Sequence, residues 1–192
     1  MIAIVKYNAG NIRSVKNALD RLSMPSLITD DPKELSQAEK VIFPGVGEAG
    51  TAMQYLRDRE LDQVILSLDQ PFLGICLGMQ LMCSHSEEKD TRCLGIFDEK
   101  VKKFPATGIV PHMGWNDFTL VDGPLFDGIK KTDNMYFVHS YYAEVGVDTV
   151  GQTDYLLPFT SALQKDNYYG VQFHPEKSAE VGRVLIENFL KL

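Results

Sequence analysis

Three side chains in this sequence could together carry out nucleophilic acyl transfer: the thiol of Cys76, the imidazole of His174 and the carboxylate of Glu176. Cys76 ends an apolar, strand-like run and precedes a helix-like segment at residues 79–83. A side chain on such a strand-to-helix turn projects away from the backbone, and the amide N–H groups after it are free to receive an oxyanion. A thiol there, with an imidazole as base and a carboxylate to orient the base, predicts chemistry through a thioester.

The seat of Cys76 distinguishes it from the other two cysteines. A free cysteine is usually buried and inert. The start of a helix behind Cys76 should favour its thiolate form, and Gly74 and Gly78 should relieve crowding at the sharp turn. We expect Cys83 to pack in the core and assign no role to Cys93.

The segment 174–176 could supply the rest of a triad. Proline disfavours the helical region for the residue before it, so we expect His174 to be extended. Residues two apart in an extended chain point the same way, so Glu176 could fix the tautomer of His174. A surface turn is the alternative for this tripeptide taken alone.

The loop at residues 44–47, Pro-Gly-Val-Gly, follows a predicted strand at the edge where α/β sheets bind ligands. Its glycines would let a peptide N–H point into the site, beside the amide of Leu77. The loop lacks the lysine and the Ser/Thr of a phosphate-binding P-loop. A plain tight turn is the other reading.

Two further histidines lie in apolar surroundings. His112 lies near the only tryptophan, Trp115, in a segment at 111–116 that we expect to be a loop. It either caps the core or belongs to a partner surface, where tryptophan is a common anchor. His139 ends a predicted strand and could be a satisfied core histidine, with Ser140 and Tyr141 offering backbone groups to a substrate.

Composition excludes several classes of protein. The 192 residues suit one domain, and 44% hydrophobic with 23% charged residues is ordinary for a globular chain. A formal charge of −7 disfavours nucleic acid as a partner, and no apolar run approaches the roughly 18 residues that span a bilayer. Three irregularly spaced cysteines indicate neither a disulfide framework nor a zinc site. We expect a cytoplasmic protein without metal or cofactor.

Strand and helix signals alternate in the first half. Apolar runs predict strands at 2–5, 27–28, 40–43 and 71–75. Helical spacing and caps predict one helix after Asn11 as N-cap, one starting at Asp31-Pro32, and one through 53–68. This alternation predicts an α/β fold, a parallel sheet covered on both faces.

The second half is richer in short strands. They are predicted at 101–104, 117–120, 135–139, 160–165 and 169–173, with a hairpin turn at 166–167. An amphipathic helix after Ser178 as N-cap ends the chain. We find no internal repeat or linker and expect a single domain over residues 1–192.

The motifs around Cys76, the 44–47 loop and the Gln172–Glu176 segment together resemble the class I (triad) glutamine amidotransferases, of flavodoxin-like fold. The segments 111–116, 137–141 and 173–178 are similar to those of the glutaminase subunits of imidazole glycerol phosphate synthase. The resemblance covers essentially the whole chain. One departure is the first turn, Asn8-Ala9-Gly10-Asn11, where many relatives carry Pro-Gly-Asn; we expect it to change turn rigidity, not chemistry.

The resemblance implies a role for each site residue. Cys76 would form a γ-glutamyl thioester and release ammonia, His174 would be general base and acid, and Glu176 would orient it. The oxyanion hole would comprise Gly45, Val46, Gly47 and the Leu77 amide. The glutamine head group would be held by Gln80, Glu88, Ser140 and Tyr141, with Glu87 an alternative to Glu88.

It also implies a partner. Ammonia would pass to a separate (β/α)₈ cyclase subunit in a heterodimer, where a phosphoribulosyl-formimino aminoimidazole carboxamide ribotide becomes imidazole glycerol phosphate and an aminoimidazole carboxamide ribotide (AICAR). Such an enzyme is a hydrolase and lyase of histidine biosynthesis, and its glutaminase is nearly silent until the cyclase binds its ligand. The matching interface positions are Gly10, Asn11, His112, Trp115, Asn116, Tyr136 and Lys177.

The 44–47 loop offers a physical explanation for a glutaminase that has little activity without its partner. If one N–H of the loop rests turned away, the tetrahedral intermediate lacks a donor, which costs on the order of 10² to 10³ in rate. Partner binding would then shift the population of loop conformations.

Three other functions remain open. Another triad glutaminase, of the pyridoxal-phosphate-synthase type or stand-alone, would release ammonia without this cyclase. A catalytically silent regulatory homologue would tolerate loss of Cys76. A cysteine protease would need an extended peptide groove.

Overall fold

Four short apolar runs in the first half form the parallel centre of a sheet. These strands are β1 (Ile2–Val5), β2 (Ser26–Thr29), β3 (Lys40–Gly45) and β4 (Phe72–Cys76), in the spatial order β2-β1-β3-β4. The computed structural model describes residues 1–8 and 10–192, so Ala9 of the first turn lies outside the described residues. All four predicted strands are confirmed, and β3 and β4 extend to the chemically interesting residues at their carboxyl ends.

Six α-helices are formed by the described residues. They are α1 (Ile12–Arg21), α2 (Pro32–Gln37), α3 (Ala49–Asp58), α4 (Leu61–Leu66), α5 (Leu77–Met82) and α6 (Ala179–Lys191). The start of α2 is as predicted, because Asp31 accepts hydrogen bonds from the N–H groups of Lys33 and Glu34. The single helix predicted at 53–68 is wrong. Glu60 adopts a left-handed conformation that ends one helix and starts the next, with Leu61 and Ile65 buried in α4.

Two predicted N-caps occupy the cap positions without acting as caps. Asn11 precedes α1 in a left-handed conformation, and its side chain makes no bond to the first turn. Ser178 precedes α6, but its hydroxyl donates to the carbonyl of His174 and accepts from the amide of Tyr136. Both side chains are instead engaged around the 174–176 segment.

The second half adds mainly antiparallel strands. They are β5 (His85–Ser86), β6 (Thr91–Arg92), β7 (Lys100–Lys103), β8 (His112–Asn116), β9 (Leu120–Val121), β10 (Met135–His139), β11 (Tyr141–Ala143), β12 (Thr149–Tyr155), β13 (Leu157–Lys165) and β14 (Tyr168–Val171). Strand β14 pairs in parallel with β4, and β13, β11, β7, β5 and β6 extend the sheet. Strands β12 and β9 branch from β13, and β8 pairs only with β10.

The sequence mispredicts three segments here. Residues 111–116 are not a loop, since 112–116 form β8, whose glycine and polar residues mask its strand character. The strand predicted at 117–120 is reduced to Leu120–Val121. Strand β12, whose side chains alternate only partly between buried and exposed, was not predicted.

Apolar side chains cover both faces of the sheet. One buried cluster, which includes Phe43 and Phe72, packs beneath α3, α4 and α5; the other, which includes Phe173 and Phe189, packs beneath α1 and α6. The fold is thus a single α/β domain with a mainly parallel central sheet flanked by helices, and β4 and β14 bring residues 76 and 174 to the same edge. Among the described residues, no helix combines the length and apolar character needed to cross a bilayer.

Candidate active site

Cys76 lies on a strained turn between β4 and α5. Its φ of 55° and ψ of −110° fall in a region that non-glycine residues seldom occupy, and such strain is concentrated at functional sites. The turn is so tight that a Cβ on Gly78 would lie 1.8 Å from the carbonyl oxygen of Phe43. Glycine at 78 therefore lets α5 start directly against β3, with the thiol at the sheet edge.

His174 and Glu176 are joined as the sequence suggested, but the segment is not extended throughout, because only His174 is extended and Pro175–Lys177 form a short 3-10 helix. Nδ1 of His174 lies 2.8 Å from Oε1 of Glu176, and both side chains are buried. The same carboxylate oxygen accepts a hydrogen bond from Nδ2 of Asn11. Because a carboxylate oxygen only accepts, Nδ1 carries the proton and Nε2 is left as the basic nitrogen.

The electrostatic surroundings favour the charged imidazole. Burial opposes charging of His174, but the neighbouring Cys76 thiolate and the Glu176 carboxylate outweigh it and raise the pKa of His174 to about 10. An imidazolium here would stabilise negative charge on the neighbouring sulfur, which is the ion pair that a thiol nucleophile needs.

The thiol and the imidazole are neighbours without a hydrogen bond between them. Nε2 of His174 is buried and has no hydrogen-bond partner among the described residues. Sγ of Cys76 lies 3.6 Å from the amide nitrogen of Gln172 and 3.9 Å from the carbonyl oxygen of Val138. Catalytic hydrogen bonds often tighten only with substrate, so the absence of this bond is compatible with proton transfer between the two groups.

Cys76 opens onto a cavity of about 290 Å³. Its wall includes the predicted glutamine-site residues Gln80, Glu88, Ser140 and Tyr141. It also includes the predicted oxyanion residues Val46, Gly47 and Leu77. His174 and Glu176 lie behind the cavity wall, fully buried.

An amide pair fixes one side of the cavity. Nε2 of Gln80 donates to the carbonyl oxygen of Tyr141 and to Oε1 of Gln172, both at 2.8 Å. Gln172 therefore bridges Gln80 and the Cys76 sulfur. Sequence reasoning missed Gln172, although a lone amide within the apolar run 168–173 was a signal that it is buried for a purpose.

The two adjacent glutamates separate in space. Glu88 lines the cavity and accepts a hydrogen bond from the amide of Ala49 at 2.7 Å. Burial raises the pKa of Glu88, partly offset by the Ala49 N–H. Glu87 instead accepts from the amide of Lys103 on the far side. Of the two alternatives, only Glu88 faces the cavity.

In the 44–47 loop, the Val46–Gly47 peptide is held by a hydrogen bond, and Gly47 has a backbone conformation that favours glycine. The carbonyl oxygen of Val46 accepts from the amide of Gly10 at 3.0 Å, so the Gly47 N–H on the same peptide points the opposite way. Gly47 has a φ of +143°, which favours glycine. Gly45 ends β3 beside Cys76 and does not line the cavity, and a Cβ there would lie 2.0 Å from the hydroxyl of Tyr7.

Residues 6–192 match the glutamine amidotransferase class-I family. The chain belongs to that family. It is 54% identical over 194 residues to "Imidazole glycerol phosphate synthase subunit HisH" of Bacteroides fragilis, which covers 100% of this chain and 99% of that relative. The subunit of the same name from Vibrio cholerae is 44% identical over 199 residues, covering 100% and 98%. At this identity the chain also belongs to the HisH family. A solved glutamine amidotransferase shares the fold, with a TM-score of 0.75 at 18% identity over 99% of this chain and 97% of that one.

The seven predicted interface positions of this amidotransferase form a connected group around His174. Asn11 binds Glu176, Tyr136 accepts from the His174 amide, and the amide of Lys177 donates to the His174 carbonyl. The amide of Gly10 donates to the carbonyl oxygen of Val46 and so holds the 44–47 loop. These contacts link the surface directly to the triad candidate.

The remaining interface positions lie on β8 and differ in exposure. Trp115 is 54% exposed and packs edge-on against Tyr136. Asn116 is half-buried and lies 3.3 Å from Nε2 of His112. His112 itself is only 3% exposed, so it presents no surface of its own to a partner. Any part it has in an interface runs through Asn116.

Proposed function

We propose that this chain is the glutaminase subunit of an imidazole glycerol phosphate synthase, a single glutamine amidotransferase domain over residues 1–192. It hydrolyses glutamine to glutamate and ammonia and passes the ammonia to a cyclase subunit, which forms imidazole glycerol phosphate and AICAR in histidine biosynthesis. The observation that carries this proposal is the Cys76 thiol on a strained turn, open to a cavity beside the buried His174–Glu176 pair. The 54% identity to HisH supports the choice of pathway.

The first half-reaction forms the thioester. The Cys76 thiolate attacks the side-chain amide carbon of glutamine, and the resulting oxyanion is stabilised by amide N–H groups. His174 donates its Nε2 proton to the departing nitrogen, the C–N bond breaks, and ammonia leaves. Glu176 keeps the proton on Nδ1 throughout, so that Nε2 alone exchanges protons.

The second half-reaction regenerates the thiol. His174, now neutral, takes a proton from water as that water attacks the thioester carbonyl. The C–S bond breaks and glutamate is released. No cofactor is needed for either step, because nucleophile, base and proton donor are all side chains.

The cavity offers groups that match the two ends of glutamine. The carboxylate of Glu88 suits the α-ammonium group, and Gln80 with the backbone of Ser140 and Tyr141 suits the remaining polar atoms. The Leu77 amide and the loop at Gly45, Val46 and Gly47 would bind the oxyanion. The Gly10 bond to Val46 is the natural restraint on that loop, since Gly10 and Asn11 lie among the proposed interface residues.

The partner is a (β/α)₈ cyclase subunit in a heterodimer, docked over the group of seven residues around His174 and β8. Trp115 and Met113, two residues apart on β8 and 54% and 63% exposed, give this surface an apolar centre. We place the assembly in the cytoplasm, where the three free cysteines would remain reduced.

A glutaminase assay with and without the cyclase and its ribotide ligand tests the proposal. Glutamate release should be low for the subunit alone and rise strongly with both present. Cys76→Ser should abolish turnover and labelling by a glutamine-analogue electrophile, whereas Cys83→Ala, at a buried cysteine at the other end of α5, should retain both. Full activity without the cyclase, or turnover by the Cys76→Ser variant, would rule the proposal out.

A further inference from the structure

A chain of hydrogen bonds runs from the cavity to the surface strand β8. Nδ1 of His139 lies 2.7 Å from the carbonyl oxygen of Tyr141, and its Nε2 lies 3.0 Å from Nδ1 of His112. Nε2 of His112 lies 3.3 Å from Nδ2 of Asn116, which also donates to the carbonyl of Asp154. Each ring nitrogen of both histidines therefore has one partner.

The carbonyl oxygen of Tyr141, at one end of these hydrogen bonds, determines which ring nitrogens carry a proton. A carbonyl oxygen only accepts, so Nδ1 of His139 must carry a proton and Nε2 must be bare. A bare Nε2 needs a donor, so Nδ1 of His112 must also carry a proton. The Nε2 of His112 is then bare, and it accepts a hydrogen bond from the side-chain amide of Asn116. Both rings are held as the Nδ1–H tautomer.

Both rings stay neutral. Burial lowers the pKa of His112 to about 4. Burial also lowers the pKa of His139 to about 3, assisted by the nearby His112 and His174. A charged His139 would place two donors face to face between the histidines, and a charged His112 would turn an Nε2–H toward the amide donor of Asn116, so neutrality and the hydrogen-bond pattern agree.

Aromatic stacking leaves the His112 ring little freedom. It stacks on Tyr155 at a ring-centre distance of 4.0 Å and on Phe137 at 4.9 Å. Phe104 contacts both His112 and His139. The ring of His112 is thereby locked in the orientation that aims Nδ1 at His139.

We propose that His112 is a positioning residue of the glutamine site, because its Nδ1–H fixes the tautomer of His139 and commits His139 to the Tyr141 carbonyl. This inference rests on the proposed glutaminase function. Tyr141 O is the acceptor that also anchors Gln80, so the hydrogen bond from His139 sets the position of two walls of the cavity at once. His112 acts entirely through His139 and touches no substrate.

Loss of the His112 donor would release this arrangement. His139 would be left with an unpaired Nε2 in the interior and could move its proton from Nδ1 to Nε2. Two acceptors would then face each other, the bare Nδ1 and the Tyr141 carbonyl, and the strand β11 would shift away. Binding of glutamine should suffer more than the chemical step at Cys76.

The tautomers can be measured directly in the wild-type subunit. Nitrogen-15 NMR at pH 7 separates protonated from bare ring nitrogens, and single His112→Phe and His85→Gln spectra assign the signals. Protonated Nδ1 and bare Nε2 on both His112 and His139 is the expected result. An Nε2–H tautomer or a charged ring at either position would overturn the proposal.

Kinetics of the complex with the cyclase separate positioning from packing. His112→Phe keeps the stacked shape but loses the donor, and should raise KM for glutamine roughly tenfold while kcat changes by less than about twofold. His112→Asn loses stacking but places an amide nitrogen near the former Nδ1, and should retain a near wild-type KM despite a lower Tm. Phe104→Leu disturbs the packing of both rings without removing a hydrogen bond, and should also leave KM near wild type.

The outcomes distinguish this inference from the proposed function. If the wild-type complex turns over glutamine and His112→Phe has an unchanged KM, the positioning role is wrong and the glutaminase stands. If KM rises in step with the loss of stability across His112→Phe, His112→Asn and Phe104→Leu, then His112 has only a structural role. If the wild-type complex releases no glutamate, the glutaminase fails and the role of His112 fails with it, even where both tautomers are found as expected.

Discussion

The side-chain amide nitrogen of Gln172 lies 3.6 Å from Sγ of Cys76, within reach of a weak hydrogen bond to sulfur. The other end of the same amide accepts from Gln80 at 2.8 Å, which prevents the amide from reversing. Gln172 thus points a donor at the sulfur of the proposed nucleophile. A donor at this position stabilises negative charge that the sulfur carries as it attacks.

Replacing Gln172 with methionine should slow thioester formation. Methionine matches the length of glutamine but cannot donate, and a hydrogen bond to a charged group is worth about 1.5–3 kcal/mol, so kcat should fall roughly 10- to 100-fold. Alkylation of Cys76 by iodoacetamide, measured from pH 5 to 9, should become slower at neutral pH. Gln164→Met, on the neighbouring strand, should change neither quantity; equal effects at both positions would contradict the role of Gln172.

Local patterns were enough to predict the conformations of the proposed nucleophile and its base. Cys76 stands where an apolar run meets a helix signal, and Pro175 forces His174 to be extended, so nearby residues dictate both conformations. The side chain of Asn11 could not be predicted in the same way. Its position before α1 predicts a cap, yet it binds Glu176, 165 residues away, and only the folded sheet brings the two together.

Glu176→Gln should lower kcat by roughly 10- to 100-fold, since the imidazolium loses the charge that stabilises it. The loss should be moderate because Asn11 donates to the oxygen that faces His174, and so holds the new amide with its oxygen toward Nδ1. Combining it with Asn11→Leu would free the amide to turn its nitrogen toward the ring, which enforces the wrong tautomer and should cost about 10⁴.

This coupling is measured in a double-mutant cycle. The cyclase is kept at a saturating concentration, so that a weaker affinity for the partner does not change the measured kcat. Asn11→Leu alone should lower kcat by a much smaller factor than it does when Glu176→Gln is already present. Strictly additive effects would mean that Asn11 does not control the orientation of residue 176.

A substitution at Gly47 tests the backbone conformation of the 44–47 loop, because a side chain at this position would meet no steric clash. A Cβ at 47 would approach only Leu77, at 3.9 Å, but the φ of +143° is accessible essentially to glycine. Gly47→Val should therefore reduce the ratio of activated to basal glutaminase rate at least about tenfold, within the 10² to 10³ worth of one oxyanion donor. Gly128→Val, at another positive φ with open space, should leave the ratio unchanged. An unaltered ratio for Gly47→Val would remove the loop mechanism.

The β8 surface should carry much of the affinity for the cyclase. Trp115→Ala removes a half-exposed anchor that rests on Tyr136, and hot-spot residues of this kind contribute about 2 kcal/mol or more, so Kd should rise about 30-fold or more. Calorimetric titration measures Kd, and a Tm close to that of the wild type would show that the free subunit is intact. Val147→Ala, at an 89% exposed position, serves as the control. An unchanged Kd for Trp115→Ala would place the interface elsewhere.

The segments that sequence patterns missed have a common physical cause. β8 carries two polar side chains, the buried His112 and the half-buried Asn116, whose hydrogen bonds reach other strands. A polar residue satisfied by distant partners is indistinguishable in the sequence from one satisfied by water. Glu60 is similar, since its left-handed conformation is imposed by the burial of Leu61 and Ile65 in α4.

The buried histidine pair should make the fold sensitive to mild acid. The unfolded rings bind protons below about pH 6.5, whereas the folded pKa is lowered to about 4 for His112 and about 3 for His139. Between pH 6.5 and about 4 these two rings bind more protons in the unfolded state, so their contribution to the free energy of unfolding falls as the pH falls, whereas the raised pKa of His174 acts in the opposite direction. At pH 5.5 each ring should remove about 1.4 kcal/mol relative to pH 8.

Urea unfolding at pH 8 and pH 5.5 tests this, with His112→Phe as the informative variant. Wild type should lose about 1.4 kcal/mol more than His112→Phe between the two pH values, because the variant has one fewer ring to protonate on unfolding. Phe104→Leu, which lowers stability through packing alone, should keep the full wild-type pH dependence. An identical loss in wild type and His112→Phe would mean that His112 is protonated in the folded protein at pH 5.5, which the Asn116 amide donor facing its Nε2 opposes.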